Sequence, residues 1–303
     1  MTAESPGGGR SVTVRDRVAG AGRTVAAKPV ANPFIIPGPA LVSFSGGRTS
    51  GLMLWRMLEA YGGTLPLDTY VVFANTGKEK PETLNFVREV SERWDCPIHW
   101  IEYAGKGVYR EVTYATASRD GEPFDVLIAE KKYLPNTVTR FCTEVLKVKG
   151  FAWFMAARGH GDMGDWPNIV GMRADEPRRV AKMARRNDEG GEWNLTPLAT
   201  AGATKADVLA FWAAQPFGLN LLPWQGNCDL CFLKGEKIRV RILRDEPRVG
   251  DWWAAREVQI GATFDKKATI PQLGFLSRLP MLPGMDDEIT DDDSAAIPCM
   301  CSD

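Results

Sequence analysis

The segment LVSFSGGRTSG, residues 41–51, sets an adjacent glycine pair between a short apolar run and a stretch of helical periodicity. Residues 40–44 read as a buried strand, and within residues 51–61 Leu52, Trp55 and Leu58 or Met57 recur at helical spacing. A strand that turns on glycine straight into a helix brings backbone amides and the helix N-terminus to one point, where an anion is favoured. Gly46 and Gly47 allow positive φ and close backbone approach, Ser45, Thr49 and Ser50 add hydroxyls, and Arg48 adds a guanidinium if it turns inward. The loop is neither GxxxxGK[ST] nor GxGxxG, so two common phosphate-binding motifs are excluded.

The rest of the chain repeats this alternation. Residues 69–74 (TYVVFA), 98–103 and 168–172 read as strands; residues 81–94, with Pro81 in the first turn, and 143–158 read as helices. Thr204 and Asp207 make a capping-box start for the helix ADVLAFWAA. Residues 105–135 have mixed polarity and leave their structure open, with a helix before Ala129. Strands alternating with helices predict an α/β fold, a doubly wound, mostly parallel, Rossmann-like sheet with helices on both faces. Residues 1–38 read as a tail without apolar period, 39–217 as the nucleotide-binding domain, 218–285 as a cysteine-containing C-terminal region, and 286–303 as an acidic tail. In a doubly wound sheet the end of the second strand lies beside the first, so Phe73, Ala74, Asn75, Thr76 and Gly77 should line the pocket. An ordinary Asx turn is the alternative for Asn75, Thr76 and Gly77.

Bulk charge does not announce a polyanionic partner: 37 Lys+Arg face 38 Asp+Glu, a formal net charge of -1. Any charged ligand must be met by a local patch, of which residues 173–186, with Arg178, Arg179, Lys182, Arg185 and Arg186, are the densest. They read as a solvated basic loop or a clamp on a small anion, with a nucleic-acid backbone as the alternative. No run approaches the ~18 to 20 apolar residues of a membrane span and no secretory apolar region opens the chain, so a cytoplasmic protein without a membrane partner is expected. His99 and His160 lack spaced carboxylate partners, which leaves a hydrolase triad or HExxH site unsupported.

The glycine loop resembles the PP-loop, SGGxDS, of ATP pyrophosphatases and sulfonucleotide reductases, with Thr49 at the aspartate position. FANTGKEKPETLNFV, residues 73–87, resembles the second-strand segment of the phosphoadenosine phosphosulfate (PAPS) reductase family. TRFCTEVLK (residues 139–147), IVGMRADEPRR (169–179) and the TPLATAGATKADVLAFWAAQPF stretch (196–217) resemble later segments of the same family, with Phe141 where tandem-cysteine versions have a second cysteine. The resemblance runs from about Leu41 to Lys234. It implies nucleotide contacts at Ser43, Ser45–Ser50, Phe73–Gly77 and Gly171, and Arg140, Lys147 and Arg173 as groups that offset developing negative charge.

Cys228 and Cys231, in NCDLCFLKG, have the spacing at which one turn presents two thiolates to a metal. By the resemblance, Cys142 stands where an upstream cysteine joins such a pair. A 4Fe-4S iron-sulfur cluster on Cys142, Cys228 and Cys231, with a fourth site either open or filled by Cys299 or Cys301, is therefore expected. Structural zinc is the alternative, and Cys96 reads as structural. The resemblance implies an enzyme, either an oxidoreductase acting on a sulfonucleotide or a transferase that splits ATP to AMP and pyrophosphate. ATP or another adenine nucleotide, magnesium, a sulfur donor or thiol reductant, and a nucleic-acid substrate are the associated ligands and partners. A nucleotide-binding regulator without turnover is the reading from another class, motivated by Thr49.

Overall fold

The computed structural model describes residues 32–222 and 224–280. Most of the expected N-terminal tail, the acidic tail, and Cys299 and Cys301 lie outside the described residues.

Strand β1, Ala40–Ser43, is fully buried and forms the axis of the fold. It pairs in parallel with β2, Thr69–Asn75, on one side and with β5, Asn168–Val170, on the other. Beyond β2 lie β3, Ile98–Gly105, in parallel and β4, Val108–Val112, antiparallel; β6, Asn194–Leu195, closes the other edge beside β5. The order β4-β3-β2-β1-β5-β6 means that the chain winds outward from β1, then crosses back to begin again at β5. The switch between β1 and β5 opens a crevice at their C-terminal ends.

The alternating side chains sort into two cores, as a period of two demands. Val42, Phe44, Val71 and Phe73 point to the face covered by α1 (Arg48–Ala60), α2 (Pro81–Arg93) and α8 (Lys205–Ala213), meeting Leu52, Met53, Val87, Val208 and Trp212. Leu41, Val72, Ala74 and Ile101 point to the opposite face and meet Phe151, Phe154 and Met155 of α5, Lys149–Ala156. Each Val, Leu, Ile, Phe or Met side chain among them contributes about 1.5–3 kcal/mol when taken from water. The helices therefore flank both faces, as the alternation of elements predicts.

A third core joins α3 (Glu122–Lys131) and α4 (Phe141–Thr143) to three C-terminal helices, α9 (Glu236–Asp245), α10 (Val249–Ile260) and α11 (Ile270–Leu276). Phe124, Leu127, Ile242, Trp253, Phe264 and Leu273 fill it. Of the adjacent tryptophans, Trp253 is buried here while Trp252 lies beside Lys78.

Three local expectations change. The open segment 105–135 supplies the antiparallel edge strand β4 and α3. The basic stretch expected to be a loop is a helix, α6, Pro177–Gly190, started by Pro177 and stopped by Gly191 in the left-handed region at φ 65. The helix expected over 143–158 is interrupted by a π turn, Glu144–Val148, before α5. The short α7, Pro197–Thr200, precedes α8, whose Asp207 accepts the Thr204 N–H at 2.8 Å, as the capping box requires.

Packing across α1 and α8 allows no spare volume: a Cβ on Gly51 would sit 2.4 Å from Trp212 Cζ2. Gly51→Ala is expected to destabilise the fold by about 1–3 kcal/mol, as overpacking does. Gly190→Ala, where nothing lies within 4 Å, is the control expected to be neutral or better. Urea denaturation of the two variants checks this; equal midpoints would refute it.

Candidate functional site

The glycine loop lies at the crevice. Gly46 takes φ +77, and a Cβ there would meet Thr83 Cγ2 at 2.8 Å, so both conformation and space demand glycine. Gly47 precedes α1, and Ser50 closes the turn: its hydroxyl donates to Gly47 O at 2.9 Å and accepts from Ser45 Oγ at 3.0 Å and Gly47 N at 3.3 Å. The first N–H groups of a helix have no partner within it, so α1 presents donors at this point. Gly171, just past β5, lets that strand end approach: a Cβ there would lie 3.1 Å from Ser50 Cα.

Ser43, Phe44, Ser45, Ser50, Ala74, Lys147, Phe151, Val170, Gly171 and Arg179 line the resulting cleft. Hydroxyls and two cations face one another, and Phe151 and Val170 supply apolar wall. The arrangement suits a ligand with an anionic group at the α1 end and an apolar portion beyond it.

The sequence-predicted residues divide. Ser43, Ser45, Ser50, Ala74, Gly171 and Lys147 line the cleft. Phe73 is buried beneath the loop against Trp100 rather than lining it. Asn75 and Thr76 spend their polar atoms on the protein. Asn75 Nδ2 donates to the fully buried Glu102 at 2.7 Å and to Ser118 O at 2.8 Å, and its Oδ1 accepts the Gly77 N–H at 3.1 Å. They shape the loop as an Asx-type turn.

Arg48 turns away from the cleft and donates to Leu221 O at 2.8 Å. Thr49 is buried, and its hydroxyl accepts from Arg173 at 3.1 Å; the same guanidinium bonds Asp175 at 3.0 Å and lies 3.6 Å from Glu176. Arg173 thus braces the loop from behind. Burial works to raise the Asp175 carboxyl, but the Lys205 N–H and Arg173 outweigh it and hold it below its ordinary value. Arg140 caps α4 half-buried, its carbonyl accepting Thr143 and Glu144 N–H groups. Arg179, by contrast, reaches the cleft from the first turn of α6, paired with Glu176.

The segment after β2 holds what the motif alone does not reveal. Lys78, Glu79 and Lys80 are all buried, at 7%, 6% and 3% exposure. Burying three consecutive charges requires partners, and the Cys228–Cys231 turn with its flanks provides some of them. Lys80 N–H donates to Asn227 O at 2.7 Å and Asp229 N–H to Lys78 O at 2.9 Å, with Glu79 opposite Cys228 in an antiparallel bridge. Lys78 Nζ lies 2.8 Å from Asp229, Lys80 bonds Glu246, and Trp253 Nε1 donates to Asp229 at 2.9 Å. Asn227 Nδ2 then donates to Ser45 O at 2.8 Å, stapling the turn to the glycine loop. The unusual KEK run between a strand-end turn and a helix-starting proline is the one sequence signal for this contact.

Cys96, Cys142, Cys228 and Cys231 are outside any disulfide. Burial and Asp95 push the Cys96 thiol up to about 11, as suits an inert structural cysteine. Lys234 Nζ donates to Cys228 O at 3.0 Å, and burial pushes its ammonium below the ordinary lysine range against the pull of Cys231, Cys228 and Asp229. Among the described residues no three Cys, His, Asp or Glu side chains gather as a group able to hold a metal ion, so Cys142, Cys228 and Cys231 do not form a cage in this conformation. The remaining expected ligand, Cys301, lies outside the described residues. No described helix is long and apolar enough to cross a membrane.

No protein-family model matches the chain. It is 34% identical over 216 residues to the uncharacterised nin region protein ORF290 of Escherichia phage lambda, an alignment covering 68% of this chain and 70% of that protein. Among solved structures it is similar to the crystal structure of phosphoadenylyl-sulfate (PAPS) reductase from Candida auris in a phosphate complex. That match has 19% identity and a TM-score of 0.37, over 60% of this chain and 76% of the other.

The weld between the two loops makes its own prediction. Asp229→Ala leaves the Lys78 ammonium buried without its carboxylate and is expected to cost about 3–5 kcal/mol. Thermal melting measures the loss, and a thiol reagent should label Cys228 and Cys231 faster than in the wild type. Unchanged labelling with an unchanged melting point would show that the turn is held by other contacts.

Proposed function

The chain belongs to the same family as the nin region protein ORF290 of Escherichia phage lambda, and since that name assigns no activity, we infer from the cleft itself that it is a PP-loop enzyme. In this reading it binds an adenine nucleotide through its phosphates and acts in sulfur transfer or sulfonucleotide reduction. The observation that carries the reading is the convergence of Ser45, Ser50, Lys147 and Arg179 on the N-terminus of α1 at the β1/β5 switch. A protein of formal net charge -1 does not attract a polyanion by its overall field, so this local set of donors must do so. Lys147 and Arg179 would offset charge developing on the transferred group.

Two observations favour the sulfonucleotide branch. Thr49, at the motif's acidic position, is bonded to Arg173, and the described residues lining the cleft include no carboxylate to share a nucleotide-bound magnesium. The Asn227–Cys231 turn, bonded to Ser45 O through Asn227, brings a thiol-bearing segment to the phosphate loop. ATP cleavage with modification of a nucleic acid is the second reading. It is supported by the SGG form of the loop and by Arg178, Lys182 and Arg185, exposed at helical spacing along α6. An iron-sulfur cluster, or zinc in its place, would be held by Cys142, Cys228 and Cys231, and no step depends on it.

Anaerobically purified protein incubated with PAPS plus a thiol reductant is expected to release sulfite; incubation with ATP is expected to release little pyrophosphate. Pyrophosphate from ATP without sulfite from PAPS would move the assignment to the second reading. Tight nucleotide binding with neither product would mark a regulator, and binding of neither nucleotide would end the reading. Metal analysis of the same preparation decides between iron, zinc and neither.

A further inference from the structure

A charged side chain taken out of water needs an opposite charge or hydrogen-bonding partner close by. Lys147 is such a group: its side chain is 9% exposed, and it lines the cleft with Arg179. Behind it stands Glu79, whose side chain is 1% exposed and whose Oε1 lies 3.7 Å from Lys147 Nζ.

The two oxygens of Glu79 have separate tasks. Oε2 accepts the Thr76 N–H at 2.9 Å and the Thr76 hydroxyl at 2.8 Å, which fixes the carboxylate in the turn after β2. Oε1 is buried and accepts no hydrogen bond from the described residues. At 3.7 Å it is too far from Lys147 to take one of its N–H groups, yet close enough for a strong charge–charge attraction in a buried setting. A bare buried carboxylate oxygen is costly unless a cation faces it, and Lys147 is that cation.

Two independent elements enforce the meeting. Glu79 is held by its backbone bridge to Cys228. Lys147 stands in the π turn Glu144–Val148, where one extra residue per turn changes the direction of the side chains, a device that recurs at functional sites. Glu79 is not among the residues lining the cleft, so it would act on a ligand only through Lys147.

We propose that Glu79 is a positioning residue for Lys147: its anchored carboxylate keeps the lysine a cation and holds it in the cleft for the ligand's phosphate or sulfate. The role of Lys147 toward the ligand rests on the nucleotide reading; the Glu79–Lys147 coupling does not. The first test therefore uses no nucleotide. Native protein is treated with acetic anhydride at pH 8, and acylation of Lys147 is quantified by peptide mass spectrometry against the exposed Lys131.

Because only the uncharged amine reacts, Glu79→Gln is expected to speed Lys147 acylation several-fold and leave Lys131 unchanged. Glu79→Asp keeps the charge but draws it back by one methylene, giving an intermediate rate, and it serves alone if Glu79→Gln does not fold. A Lys147 rate equal to wild type in the folded variants overturns the proposal. The second test is a double-mutant cycle on ATP and PAPS binding by calorimetry. Lys147→Met is expected to weaken binding about tenfold or more, and Glu79→Gln to weaken it in the wild type but not in the Lys147→Met background. An equal loss in both backgrounds would place the effect in the Thr76 turn and overturn the positioning role. A wild type that binds neither nucleotide fails the nucleotide reading alone, since the acylation rates still decide the coupling.

Discussion

Burying Lys78, Glu79 and Lys80 together is the constraint around which this site is built. Three consecutive charges inside a protein are tolerable only when each meets an opposite charge or a hydrogen-bonding partner. Asp229 answers Lys78, Glu246 answers Lys80, and Thr76 with Lys147 answers Glu79. Those partners come from segments well over a hundred residues away in some cases, so satisfying the charges draws the cysteine turn onto the sheet edge. Once there, Asn227 donates to Ser45 O and ties the turn to the glycine loop.

The cleft inherits its character from this arrangement. Its donors are backbone groups of α1, serine hydroxyls and two cations, each backed by an acid outside the cleft: Glu176 behind Arg179 and Glu79 behind Lys147. An anion can enter without desolvating a carboxylate of its own sign at the lining. The same geometry explains why Arg48 and Arg173, prominent in the motif, are not in the lining. Arg48 is bonded to Leu221 O across the start of α1, and Arg173 braces Thr49 against Asp175 and Glu176.

Local pattern was informative wherever one period or one turn determines the outcome. β1, β2 and β3, the start of α2 at Pro81 and the capping box of Thr204 follow from alternation, proline placement and side-chain capping. So does the glycine loop, whose φ of +77 at Gly46 is a backbone demand visible in the residue itself. Pattern was uninformative over residues 105–135, where β4 is stabilised by pairing with β3 rather than by its own periodicity. It misjudged 173–186, since the helix α6 buries only Met183 and carries charges nearly all round. A helix with so narrow an apolar stripe is hard to tell from a solvated loop.

The sequence by itself determined the α/β alternation, the strand–glycine–helix unit and the residue types available to bind an anion, because each depends on neighbours within a few positions. Only the tertiary structure decided which cations face the cleft, that Asn75 and Thr76 spend their polar groups on the loop itself, and that Cys228 and Asp229 back onto Lys78 and Glu79. Those outcomes depend on how charges are paired across distant segments. No local period records that pairing, since the energy that selects it arises only when water is removed from both partners at once.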